Sequence, residues 1–120
     1  MPRHAVEQGI GLWQGRRWEQ GIGMPNGGTA YVSEEDMYHL LVDPRVWRHP
    51  ERVEMALEGV HEIRSARAGR RIALTEWKEG ELRRVGYIVL TAEGHVWTLH
   101  VVDDKAIRKQ QRHGELIWKR

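Results

Sequence analysis

The chain has 120 residues, 40% of them hydrophobic and 30% charged, with no cysteine and a formal net charge of +2. That length and mix fit one globular domain and are too small for an α/β barrel or a full dinucleotide-binding fold. Without cysteine there is no disulfide framework, no cysteine-ligated zinc, no iron–sulfur cluster and no thiol nucleophile.

The opening stretch, residues 1–28, reads as a glycine- and tryptophan-rich arm. Gly9-Ile10-Gly11 and Gly21-Ile22-Gly23 flank a segment holding Trp13, Arg17 and Trp18. It fits either a loose hairpin turning near Gly15 or a flexible arm that docks those three side chains on a partner. The two GIG units lack the third glycine and the strand–helix setting of a phosphate loop. Pro25-Asn26-Gly27-Gly28 is turn chemistry that ends the arm, and a single α+β domain is expected over 29–120.

Thr29 to Val32 reads as a short strand. Ser33 is placed to cap a helix whose first turn carries Glu34, Glu35 and Asp36, and Asp43-Pro44 is read as its stop. A second helix is predicted from Pro50, with Val53, Met55, Ala56, Leu57 and Val60 as its apolar candidates. After Gly69 the period changes from helical to alternating. Strands are predicted from Arg71 to Trp77, Leu82 to Leu90 and His95 to Val102, joined by Lys78–Glu81 and Thr91–Gly94 as hairpin loops. Asp103 caps a last helix, and Glu115 to Trp118 ends as a strand or strap. Helices first and an antiparallel sheet second make an α+β domain, with the helices on one sheet face and the other face open.

Charge is unevenly spread. Residues Glu34 to Glu62 hold eight acids and three arginines, whereas Lys105 to Arg120 holds six basic residues and one acid. The second half can therefore assemble a positive surface for a phosphate backbone, so RNA is the expected partner. No apolar run reaches the ~18 residues of a membrane span, and Met1 to Gln20 has no signal-peptide core, so a soluble cytoplasmic protein is expected with no membrane partner.

Seven histidines are present, and no pair has a chelating i, i+4 spacing on a predicted helix, so no metal or other cofactor is expected. Acid–base chemistry on a phosphodiester remains, because an RNA 2′-hydroxyl supplies its own nucleophile. If Leu99 and Val101 face the core, Thr98 and His100 face outward, and Arg71 with Thr75 joins them if Ile72 and Leu74 point inward. His49 precedes the helix-opening proline, where the free amides of the first turn favour an anion. The candidate catalytic residues are His49, His100 and Thr98; Arg48, Arg71, Arg83 and Tyr87 are the candidate substrate contacts. Trp13, Arg17 and Trp18 are the candidate contacts to a host or phage protein.

Thr29-Ala30-Tyr31-Val32-Ser33-Glu34-Glu35 followed by Arg48-His49-Pro50-Glu51 is similar to the opening of the phage barnase–EndoU–colicin–RelE-like (BECR-fold) nucleases. Arg70-Arg71-Ile72-Ala73-Leu74, Gly86-Tyr87-Ile88-Val89-Leu90, Thr98-Leu99-His100 and Arg112-His113-Gly114-Glu115-Leu116 echo the rest, so the resemblance covers roughly 29–118. Two departures are visible. The family's Lys-His on the first helix falls at Met37-Tyr38-His39 with no lysine, and its serine is Thr98. The resemblance implies a barnase/RelE-like fold and a phage-type endoribonuclease that needs no metal, acting in the cytoplasm of a host cell. The alternative is a non-catalytic effector that inhibits a host machine through a Trp/Arg surface.

Overall fold

In the computed structural model residues 20–40 and 43–120 are described. Trp13, Arg17 and Trp18 lie outside them. The protein is an α+β domain built on a five-stranded antiparallel sheet. In chain order the elements are β1 (Ile22–Gly23), β2 (Thr29–Ala30), α1 (Glu34–Leu40), α2 (Pro44–Trp47), α3 (Glu51–Glu58), β3 (Val60–Ser65), a 3₁₀ turn at Arg67–Gly69, β4 (Arg71–Glu79), β5 (Leu82–Leu90), β6 (Val96–Val102), α4 (Asp104–Gln110) and β7 (Leu116–Lys119). The sheet order is β6-β5-β4-β3-β7, so the predicted meander forms its centre and one edge, and β3 and β7 complete it. β1 and β2 pair as a separate small hairpin, and Ile22 and Met24 pack against the core, so the chain belongs to the domain before residue 29.

Register sorts the side chains onto two faces. Ala73, Thr75 and Trp77 of β4, Ile88 and Leu90 of β5, and Leu99 and Val101 of β6 are buried on the face covered by the first three helices. There they meet Leu40, Val46, Val53, Ala56 and Leu57 in one core cluster. Area removed from water is the main stabilising term for such a cluster. Thr75 therefore does not point outward: it is wholly buried, and its hydroxyl donates to the Ala56 carbonyl of α3. A polar residue can occupy a core position when a main-chain oxygen accepts its hydrogen bond.

The opposite face is not left open. α4 crosses it, and Ile107 packs on Leu74 and Val85 in a second, smaller cluster. Arg83 fastens the start of α4 by bonding both Asp104 oxygens at 3.1 Å, while its Nε donates to Glu76. Gln111 reaches Glu62 at the far side, so α4 runs diagonally from β5 to β3. Asp43-Pro44 does not simply stop a helix. Asp43 caps α2 by accepting the Arg45 amide, and Pro44 takes the first helical position. Among the described residues no helix is long and apolar enough to cross a membrane.

Candidate functional site

The side chains proposed from sequence as one cluster are divided by the sheet. His100 and Thr98 share the α4 face with Tyr87, where the Tyr87 and His100 rings lie 4.7 Å apart and tilted by 34°. Arg71 belongs to the other face, in register with Leu90, because β4 is turned opposite to the expected way. Arg83 shares the His100 face, but its guanidinium is spent on Glu76 and Asp104, which raise its pKa further. His49 is exposed, 3.6 Å from Glu51, and among the described residues no contact joins it to His100. Arg48, beside it, is exposed on the same connection between α2 and α3.

Burial pushes the His100 imidazole below its ordinary 6.5, with Asp43 opposing that shift and Arg45 adding to it. The folded state thus prefers the neutral ring, and the unfolded chain takes up the proton first as pH falls. Stability is lost from about pH 7 downward through this group. His100→Gln is expected to flatten the slope of Tm against pH between about 5 and 7, measured by thermal melts beside the wild-type protein. An unchanged slope would show the ring to be fully hydrated.

A different constellation forms at the β6 edge, where α1 lies along the strand. Ser33 and Asp36 cap α1 reciprocally: the Ser33 hydroxyl accepts the Asp36 amide at 3.1 Å, and an Asp36 carboxylate oxygen accepts the Ser33 amide at 2.8 Å. The same oxygen lies 2.7 Å from His95 Nδ1. Asp36 is 15% exposed and His95 40%, so the carboxylate sits beneath the ring and the ring faces solvent. An ionised carboxylate only accepts hydrogen bonds, so Nδ1 carries the proton and Nε2 is left for proton transfer. Tyr31, held against the strand by bonds to Gly94 and Val96, places its ring 5.8 Å from that of His95. Tyr31, Ser33, Glu93 and His95 line an open groove.

One helical turn after Asp36, His39 stacks on Trp97 at 4.4 Å, and the Arg70 guanidinium lies 4.4 Å from the same ring. Local backbone explains why Trp97 is available. Val89 pairs with Thr98 and Leu90 with Val96, so a bulge leaves Trp97 without a partner on β5. The turn carrying Arg67 and Arg70 abuts the turn carrying Glu93: a methyl on Gly69 would lie 3.5 Å from Ala92. Arg67, Arg70 and Arg71 are all exposed at this end of the sheet. The site thus combines a carboxylate-oriented histidine, a second histidine, an indole ledge and three arginines.

Ser33, Asp36 and His95 have the composition of an acyl-transfer triad but not its connection. The Ser33 hydroxyl serves the helix cap, and among the described residues no hydrogen bond joins it to His95. Nor does any group of three or more metal-ligating side chains occur among the described residues. Asp36, His39, Arg70, His95 and Trp97 are absent from the site expected from sequence. The Ser33-x-x-Asp36 spacing is a capping-box signal, but a partner 59 residues away leaves no mark in the chain. No family model, no curated protein and no solved structure matches this chain.

Proposed function

We propose that the protein is a metal-independent endoribonuclease of barnase/RelE-like type, working at the groove beside α1 rather than at His100. The observation that carries this reading is the 2.7 Å contact between the sheltered Asp36 carboxylate and the solvent-facing His95 imidazole. His95 Nε2 takes the proton of a substrate 2′-hydroxyl, and O2′ then bonds to phosphorus. Asp36 stabilises the imidazolium that results. As the phosphorus–O5′ bond breaks, a protonated His39 gives its own proton to the leaving oxygen, while His95 keeps the one taken from O2′ until turnover exchanges both with water. Arg70 offers a permanently charged planar fork to the phosphorane oxygens, and Trp97 a surface for the neighbouring base. The products are a 2′,3′-cyclic phosphate and a free 5′-hydroxyl.

Incubation of the purified protein with a single-stranded RNA in EDTA is expected to give those two ends. A single 2′-deoxy nucleotide at the cleaved position should block the cut. RNA that stays intact between about pH 5 and pH 8, the range in which histidine changes charge, would reject the reading and leave the non-catalytic effector in its place.

A further inference from the structure

α4 and the turn that ends it carry Lys105, Arg108, Lys109 and Arg112 at spacings of three and four residues, all exposed. Those spacings put the four side chains on one face of the helix. Ile107 and Gln111 take the opposite face, against the second core cluster and Glu62. Among the described residues none of the four cations forms a salt bridge, although Asp104, held mainly by Arg83, lies close enough for Arg108 to help lower its pKa. Elsewhere Arg45, Arg52, Arg64, Arg83 and Arg84 each face a carboxylate, whereas the exposed Arg67, Arg70 and Arg71 at the other end of the sheet, like these four, form no salt bridge among the described residues.

The helix dipole accounts for part of this row, since Arg108 and Lys109 lie in the last turn, where cations are favoured. It does not account for Lys105 in the first turn, where a cation is disfavoured, nor for four like charges set side by side. We infer that this face of α4 binds the phosphate backbone of RNA, as a contact surface separate from the His95 groove.

Two features of the face favour a polyanion over the alternatives. It has no large apolar side chain, whereas a protein partner needs buried aromatic or aliphatic anchors and a membrane surface needs an apolar helix face. A second groove beside the helix end is lined by one further cation, Arg67, together with Ile72, Gln110 and His113. Closely spaced phosphates are the partner that evenly spaced cations without anchors fit, through release of condensed counterions.

The inference stands whether or not the protein cleaves RNA, and the test separates the two. Binding of a fluorescent 16-nucleotide oligouridylate to the full chain is followed by anisotropy at several salt concentrations, in the His95→Ala background so that the probe survives. Replacing Lys105, Arg108, Lys109 and Arg112 together by glutamine is expected to weaken binding on the order of 100-fold at low salt. The slope of log K against log salt should become shallower by about 3, at roughly 0.7 per phosphate for a single strand. The circular dichroism spectrum and Tm should stay the same, since none of the four is a core or cap residue. In the otherwise wild-type protein, these substitutions should leave the cleavage rate of a dinucleotide within a few-fold. An unchanged affinity and slope would overturn the inference. So would four-residue-dependent binding to phosphatidylserine vesicles without binding to RNA.

Discussion

Arg52→Ala is expected to lower the Tm by on the order of 10 °C, from a loss of about 3–5 kcal/mol when one partner of a buried ion pair is removed. Arg52 is 7% exposed, and each of its three guanidinium nitrogens donates a hydrogen bond. Nε and Nη2 meet the two Glu79 oxygens at 2.6 and 3.0 Å, and Nη1 donates to the Arg45 carbonyl at 2.6 Å. One side chain thereby ties α3 to the end of β4 and to the start of α2. Trp77 Nε1 adds a third donor to Glu79 at 3.0 Å. Arg84 Nε lies 3.5 Å from Glu79 as an ion pair, and among the described residues that buried nitrogen has no hydrogen-bond partner. Arg84 offsets part of the loss by Coulomb attraction, which makes the lower end of the range the expected value.

The same network sets an acid limit. Hydrogen bonding from Arg52, helped by Trp77 and opposed by burial, holds the Glu79 carboxyl at about 2 instead of 4.5. The unfolded chain is therefore protonated first as pH falls. The stabilisation is complete above about pH 4.5, disappears toward pH 2, and amounts to about 3 kcal/mol for an acid 22% exposed. Urea titrations at pH 7 and pH 3 should show a large drop for the wild-type chain and a much smaller one for Arg52→Ala. Equal drops would place the acid sensitivity in another carboxylate.

His95→Ala is expected to reduce kcat for RNA cleavage by about 10²–10⁴-fold, the range for loss of a positioned general base. KM should change little, because Arg70 and Trp97 remain to hold the substrate. Asp36→Asn keeps the cap of α1, since an amide oxygen still accepts the Ser33 amide, but it removes the charge that stabilises the imidazolium. It should lower kcat by a smaller factor, on the order of 10, again with KM unchanged. A rise in KM with kcat intact would make the pair a binding contact and move the proton transfer elsewhere.

The parts of the fold written in local chemistry were legible. Thr91–Gly94 turns the chain between two strands, and Ser33 and Asp103 cap helix starts as expected, with Pro50 one residue before its helix. The first hairpin is tighter than expected, since Lys78 and Glu79 pair with Arg83 and Leu82 and only Gly80-Glu81 make the turn. Asp43-Pro44 was ambiguous, because an Asp-Pro pair that suits a helix stop suits a helix start equally well, and here it opens α2. The two faces of β4 were not legible. Thr75 looks like a surface residue until the Ala56 carbonyl accepts its hydroxyl hydrogen bond, and once Thr75 turns inward Arg71 must follow it away from His100. The site was hidden for a related reason. His95 was visible as a residue after a turn, but its partner Asp36 read as a helix-opening acid, and the bulge that frees Trp97 is set by register against β5.

The cleavage rates of His95→Ala and His100→Ala, measured side by side on one RNA in EDTA, bear most directly on where the chemistry lies. With the proton transfer at the Asp36-held ring, the His95 variant should fall by at least about 100-fold while the His100 variant stays within a few-fold of wild type. The reverse order, an active His95→Ala beside a dead His100→Ala, would return the reaction to the sheet face under α4 and contradict the assignment made from the α1 groove.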